Sequence, residues 1–213
     1  MDFLSYDPWS NVISRNGYTA DELREGLHKT IRRNKVDLAV RIAYEMYITS
    51  EQMEEMLWRR LAIISVEDIG LADPMAPVVV DTLNRMKNLH PYNDIDRQSY
   101  AAQAIRYLCK SKKDLTVGVL MTVVRKEFER GILPEIPPEA YDMHCKKGRE
   151  KGKKMKDFLC EGNVVDPPSE IYESEEYKEL ERTVLRMTQE EVAGTVEKKP
   201  LQVSPFEFQC YFI

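Results

Sequence analysis

Hydrophobic residues recur every three or four positions over the first 130 residues, the spacing of amphipathic helices. The first predicted helix begins at a capping box formed by Thr19 and Glu22. The third begins after Ser50, a favourable N-cap residue, and we expect the carboxylate of Glu54 to support this cap. The pattern predicts helices over about 19–34, 36–48, 50–69, 74–86, 94–108 or 96–108, and 114–130. Short connectors and the absence of alternating β-branched runs predict an all-α fold, a compact array of about six helices.

The pattern changes after Gly131, where a proline-rich stretch over 133–141 is followed by a basic stretch over 142–162. A polar helix is predicted over about 171–188, and the chain end from 194 has no helical period. We therefore expect a basic helical extension and a partly irregular C-terminal tail. The predicted division is a lead-in segment, a helical domain, a linker with the basic segment, and an acidic helix with the tail: 1–18, 19–131, 132–162 and 163–213.

Net charge, cysteine spacing and apolar runs indicate which partners and which cellular compartment to expect. The 213 residues carry a net charge of −5, so any attraction to nucleic acid must come from a local patch. The four cysteines form no CxxC pair, and no signal peptide is evident, which predicts reduced thiols and a cytoplasmic protein. The longest apolar run is only about four residues, so we expect no membrane partner.

One corner between predicted helices has two adjacent acids, Glu67 and Asp68. Neighbouring helical side chains diverge by about 100°, so this pair cannot face one substrate as two catalytic carboxylates would. Acids near a helix C-terminus also meet the unfavourable end of the helix dipole, so we expect compensation from Arg59, Arg60 or the N-terminus of a neighbouring helix. An ion-paired structural corner is favoured over a ligand site. Its predicted residues are Arg60, Glu67, Asp68, Gly70, Asp73 and Pro74.

A basic segment, residues 146–156, has seven cations and one acid, Glu150. The cations are Lys146, Lys147, Arg149, Lys151, Lys153, Lys154 and Lys156. Gly148 and Gly152 are four residues apart and would share one helical face, which predicts close backbone approach. Such a segment suits contact with DNA phosphates. The alternative is a solvated helix that pairs with the acidic residues 170–181.

Motifs for catalysis or cofactor binding are not recognised in the sequence. The stretch Gly148–Lys154 resembles a P-loop but has the wrong glycine spacing and no Ser or Thr after the lysine, and no Walker B run is found. The residues Asp142, His144 and Cys145 are too close together to act as the separated ligand pairs of a zinc site, and His28 and His90 are isolated. We therefore expect no catalytic residues, no metal and no cofactor.

Three sequence blocks carry a family resemblance: LHKTIRRNKVDLAVRIAYEM, LWRRLAIISVEDIGLADPMAP and AAQAIRYLCKSKKDLTVGVL. In this order they resemble the C-terminal region of the replication-associated recombination protein A (RarA/MgsA) family of AAA+ ATPases, over about residues 19–130. The resemblance implies a clamp-loader-collar type of helical domain that drives tetramer assembly and performs no chemistry. The ATPase module of that family is missing from these residues, which implies a stand-alone chain without ATPase activity.

Two functional hypotheses follow. The first is a non-catalytic oligomerisation and DNA-binding module linked to DNA replication, recombination or repair, which could also modulate a separate full-length AAA+ ATPase. The second is a protein-interaction adaptor, of phage or mobile-element type, that acts through the aromatic tail SPFEFQCYFI, residues 204–213. A cryptic enzyme has the least support.

Overall fold

Residues 8–196 are described by a computed structural model, and the chain divides into two units, Met1–Leu133 and Pro134–Ile213. Apart from a single bridge between Ile13 and Thr19, the described residues contain no β-structure, so the all-α prediction is confirmed. Residues 204–213, on which the adaptor hypothesis depends, lie outside the described residues. In the described range, no helix has both the length and the apolarity needed to cross a bilayer.

The first unit contains the six predicted helices. They are α1 (Ala20–Arg32), α2 (Val36–Thr49), α3 (Glu51–Ile64), α4 (Ala76–Lys87), α5 (Arg97–Lys110) and α6 (Thr116–Glu129). The capping box of α1 forms as predicted, because Thr19 Oγ1 accepts from the Glu22 amide at 3.4 Å and Glu22 Oε2 accepts from the Thr19 amide at 2.9 Å. Ser50 Oγ likewise accepts from the amide of Met53 at 3.2 Å, which starts α3.

The core lies between α1, α2, α3 and α5, with α4 packed on α5. Its fully buried side chains include Leu27, Ile31, Met46, Leu57, Leu61 and Ile105. Burial of each such side chain stabilises the fold by about 1.5–3 kcal/mol. The helix α6 differs from the others because it buries none of its residues.

The corner after α3 is tighter than the sequence predicts. The helix ends at Ile64, and the chain continues through one π turn (Ser65–Ile69) and one 3-10 turn (Gly70–Ala72). Gly70 has a φ of +51°, where the absence of a Cβ is favourable. Pro74 was predicted to be the first residue of α4, but the helix begins at Ala76 because Asp73–Met75 form a separate turn.

The second unit contains three α-helical segments in its described part, α7 (Lys146–Glu150), α8 (Met155–Asp157) and α9 (Glu175–Val192). The prediction that the basic segment is one helix is wrong. Gly152 has a φ of +76°, which ends α7 and starts a new turn, so Gly148 and Gly152 do not line one helical face. The backbone of Gly148 instead packs closely against residue Asp142 of the same chain, since an added Cβ would lie 1.7 Å from its carbonyl oxygen.

Candidate functional site

The carboxylate of Asp68 is fully buried and is held by two side chains of α1. Arg32 donates from Nε to Oδ2 at 3.0 Å and from Nη2 to Oδ1 at 2.7 Å. His28 Nε2 lies 3.1 Å from Oδ2, one helical turn before Arg32. Burial alone would raise the pKa of Asp68, but the hydrogen bonds from His28 and Arg32 outweigh it and lower the pKa to about 2. The corner is therefore fastened to α1 by an ionised carboxylate.

The compensating cations are not the ones that the sequence pattern indicated. Arg59 pairs instead with Glu55 at 3.2 Å, within its own helix. Arg60 Nη1 lies 3.4 Å from His28 Nδ1, so it reaches Asp68 only through the imidazole ring. This geometry fits a ring that donates from Nε2 and accepts at Nδ1. Arg32, 36 residues from Asp68 in sequence, provides the direct ion pair.

The other corner residues have separate roles. Glu67 lies next to Asp68 in sequence but is only half-buried, whereas Asp68 is fully buried. Asp73 Oδ2 accepts from Tyr107 Oη at 2.7 Å and from Ser111 Oγ at 3.2 Å, and both donors lie at the end of α5. Its Oδ1 accepts from the Met75 amide at 3.2 Å. These contacts fix the position of the chain just before α4.

A second buried ion pair joins α3 to α5. Glu54 and Arg97 are 2% and 6% exposed, and Arg97 Nε lies 3.0 and 2.9 Å from the two carboxylate oxygens. Arg97 Nη1 also donates to the carbonyls of Lys87 and His90 at 3.1 and 2.7 Å. The prediction that Glu54 supports the N-cap of α3 is wrong. Its position next to the apolar residues Met53 and Leu57 in the sequence could have indicated that its side chain is buried.

The cations of the basic segment fall into two groups. Three are occupied within the second unit: Lys153 pairs with Glu161 at 2.7 Å, Lys146 lies 3.9 Å from Glu150, and Arg149 donates to two backbone carbonyls. Lys147 and Lys151 instead stand over the ring of Tyr141, with Nζ at 5.6 and 4.9 Å from its centroid. Lys147, Lys151, Lys154 and Lys156 are exposed and have no carboxylate partner in the described part of the chain.

Pairing of the basic segment with residues 170–181 was the alternative explanation for its charge. Within residues 8–196 no ion pair joins these two stretches. The acidic stretch pairs locally, with Lys178 Nζ at 3.4 Å from Glu173. The acidic stretch therefore does not neutralise the four exposed lysines within the described residues.

Histidines and cysteines contact nearby groups. His144 Nδ1 lies 3.0 Å from Asp142 Oδ2, and Cys145 Sγ accepts from the Gly148 amide at 3.2 Å, which shapes the loop before α7. The prediction that His90 is isolated is wrong. Its two ring nitrogens lie 3.0 Å from the carboxylate of Asp94 and 3.2 Å from the hydroxyl of Tyr100. Among the described residues, His90, Asp94 and Asp96 form a cluster whose ligand atoms lie within 4.8 Å of one another.

The helix α6 presents apolar side chains to solvent. Val119, Leu120 and Phe128 are 63%, 57% and 51% exposed, and Met121 and Val123 are close to half exposed. The main contact of α6 within the first unit is to the turn Ser65–Ile69, and the amide of Asp114 donates to the carbonyl of Asp68 at 2.8 Å just before the helix. A helix that is held at its N-terminal end and exposes apolar side chains along its length is typical of an interaction surface.

Comparison with known proteins identifies the family to which the chain belongs. No curated protein matches the chain. Residues 35–194 match the family described as MgsA AAA+ ATPase C terminal, which covers three quarters of the chain. The match continues beyond residue 130, where the sequence resemblance ended, so the basic segment and all of α9 lie within the family region. The chain belongs to the family of MgsA AAA+ ATPase C-terminal domains.

Proposed function

We propose that this chain is an assembly module that acts in DNA replication or recombination and contacts the DNA backbone through its basic segment. The observation that carries the proposal is the exposed apolar surface of α6. A helix with many solvent-exposed Val, Leu, Met and Phe side chains is unfavourable in water, and burying that surface against another chain removes the cost. The family supports a second copy as the partner, since the resemblance implies tetramer assembly.

Charge on α6 is expected to disrupt assembly. The variant Leu120→Glu/Val123→Glu places two carboxylates on one face of the helix, at side chains that are 57% and 47% exposed. We expect the wild-type chain to show a mass of several 24.9 kDa units at micromolar concentration and the variant to shift toward the monomer. Size-exclusion chromatography with light scattering measures this.

The matched control is Leu71→Glu/Leu89→Glu, which adds the same charge at leucines that are 82% and 78% exposed and lie outside α6. It should keep the wild-type mass. A wild-type chain that is monomeric across the concentration range, or a control that dissociates equally, would contradict the assembly proposal. Circular dichroism of all three proteins checks that helix content is unchanged.

The DNA contact is supported by the four exposed lysines. Backbone phosphates attract such a cluster without reading sequence, so single-stranded, duplex and forked DNA should all bind, and each phosphate contact adds about −0.9 to the log–log salt slope on duplex. The charge-reversed variant Lys147→Glu/Lys151→Glu/Lys154→Glu should lose binding by at least about 100-fold at low salt. Fluorescence anisotropy at two salt concentrations measures both effects.

The control for DNA binding is Lys110→Glu/Lys112→Glu/Lys126→Glu, which changes the net charge equally at exposed lysines of the first unit. It should retain most of the affinity. Equal losses in both variants would indicate a general charge effect and count against a contact by the basic segment. Absence of binding to every DNA form at low salt would remove the DNA part of the proposal and leave the assembly part intact.

A further inference from the structure

The loop between α4 and α5 brings three candidate metal ligands together, His90, Asp94 and Asp96. Their spacing in the sequence is H-x3-D-x-D. One ligand atom from each residue lies within 4.8 Å of the other two, and His90 Nδ1 lies 3.0 Å from Asp94 Oδ2. None of the three belongs to α6 or to the basic segment, so this cluster is separate from the surfaces on which the proposed function depends.

The imidazole of His90 is oriented from outside the cluster. Its Nε2 lies 3.2 Å from the hydroxyl of Tyr100 on α5, which leaves Nδ1 facing the carboxylate of Asp94. A ring that donates from Nδ1 to Asp94 accepts from Tyr100, and a ring that carries its proton on Nε2 donates to Tyr100, because a tyrosine hydroxyl can do both. In the second form Nδ1 has a lone pair for a metal ion. Metal-binding histidines typically have their other ring nitrogen hydrogen-bonded in this way.

The backbone of the loop is fixed by side chains that are not ligands. Arg97, which is 6% exposed, donates from Nη1 to the carbonyl of His90 at 2.7 Å. The hydroxyl of Tyr47 on α2 donates to the carbonyl of Tyr92 and lies 3.3 Å from the carbonyl of Asp94. Because these contacts order the loop before any ligand binds, they reduce the entropic cost of binding.

The ligand set indicates which cation fits. Two carboxylates and a neutral imidazole carry a double negative charge, which a divalent cation neutralises. Arg97 follows Asp96 in the sequence, but its guanidinium pairs with Glu54 in the core. An imidazole nitrogen favours zinc and its first-row neighbours over Mg²⁺ and Ca²⁺, which prefer oxygen. Two ligands of a tetrahedral zinc ion lie about 3.3 Å apart, so a small rotation of the exposed Asp96 side chain would complete the set.

We propose that His90, Asp94 and Asp96 bind a divalent transition-metal ion, Zn²⁺ in the first place, and that Tyr100 positions the imidazole. Three protein ligands leave a coordination position for water. The bound ion would fasten the end of α4 to the start of α5. The proposal does not depend on the assembly or DNA-binding function proposed above.

Isothermal titration calorimetry of the full chain tests the site, after treatment with EDTA and dialysis, with ZnCl2 and MgCl2 as probes. We expect one Zn²⁺ per chain, bound at least about tenfold more tightly than Mg²⁺ because of the imidazole nitrogen. Absence of Zn²⁺ binding would overturn the proposal. Tighter binding of Mg²⁺ would also overturn it, because the imidazole would then not be a ligand.

A variant of an exposed ligand locates the metal. Asp96→Asn replaces a carboxylate by a neutral amide and should weaken Zn²⁺ binding at least about tenfold. Because Asp96 is exposed, the fold should be unchanged, which circular dichroism checks. Wild-type affinity in folded Asp96→Asn would overturn the three-ligand site.

The positioning role of Tyr100 has its own test. Tyr100→Phe keeps the aromatic ring but removes the hydroxyl, and it should weaken Zn²⁺ binding about tenfold, as the loss of a residue that orients a ligand does. In wild type, NMR of the His90 ring nitrogens should show the proton on Nε2 once Zn²⁺ is bound. A proton that stays on Nδ1 would overturn the assignment of Nδ1 as the ligand atom.

The matched control is a second His–Asp pair, His144 and Asp142, whose Nδ1–Oδ2 distance is also 3.0 Å. This pair lies next to the thiol of Cys145, so it is the alternative zinc site. The variant His144→Gln/Cys145→Ser removes two of its three ligands and should keep the wild-type affinity for Zn²⁺. Loss of Zn²⁺ binding in this variant would place the metal in the second unit and overturn the proposal.

Discussion

Replacement of Asp68 by asparagine is expected to lower the free energy of unfolding by about 3–5 kcal/mol, the cost of breaking a buried ion pair by removing one partner. The amide keeps the shape of the carboxylate, but it cannot accept from both Arg32 and His28 as an anion does. The Arg32 guanidinium would lose its counter-ion, and the corner would lose its attachment to α1. Urea denaturation followed by circular dichroism measures the change.

The control is Asp81→Asn on α4. Asp81 also pairs with an arginine, Arg85 at 3.0 Å, but its side chain is 63% exposed. Exposed pairs contribute little, so the expected change is below about 1 kcal/mol. Similar losses in the two variants would mean that burial of Asp68 adds nothing to its ion pair.

At acidic pH, wild type should lose the extra stability that it has over the Asp68→Asn variant. The pKa of Asp68 in the folded protein is about 2, below its ordinary value of 3.8, so the stabilisation is complete above the ordinary value and is lost as pH falls through this range. The shift corresponds to about 2 kcal/mol. The difference between wild type and Asp68→Asn should therefore shrink between pH 5 and about pH 2, and a constant difference would argue against ionisation as its source.

Replacement of Arg97 by methionine is the second large effect, again about 3–5 kcal/mol of lost stability. Methionine fills much of the volume of arginine, but Glu54 would remain buried, with Lys87 Nζ as the nearest cation at 3.8 Å. The carbonyls of Lys87 and His90 would also lose their donor. Loss of these bonds separates the start of α5 from α3 and from the end of α4.

Thermal and urea unfolding of Arg97→Met and of the control Arg85→Met measure this effect. Arg85 has a carboxylate partner in Asp81 and is 72% exposed, so its removal should cost below about 1 kcal/mol. Unchanged stability of Arg97→Met would mean that the Lys87 ammonium compensates Glu54 by itself.

The helical part of the fold could be predicted because its signals are local. The apolar stripes, the capping box of Thr19 and the N-cap of Ser50 involve residues three or four positions apart, which the sequence pattern displays directly. The exact start of α4 could not be predicted, since Asp73 has a side chain that caps the preceding turn as readily as the helix.

The partners of buried charges could not be predicted because they depend on packing. Asp68 meets Arg32 across 36 positions and Glu54 meets Arg97 across 43, and no periodicity marks such pairs. The basic segment could be recognised from composition, but its shape depends on Gly152, where either continued helix or a turn was compatible with the sequence.

Because α6 is attached to the first unit near its N-terminal end, a small change of angle there displaces the other end of the helix. The helix contacts the Ser65–Ile69 turn near its N-terminal end and spans 14 residues, which corresponds to a rod of about 21 Å. A rotation of about 10° at the base would move the far end by about 4 Å. The angle at which two copies meet through α6 would then be set inside each copy, at the corner that Asp68 holds, so residues far from the contact surface could select between closed rings and open arrays.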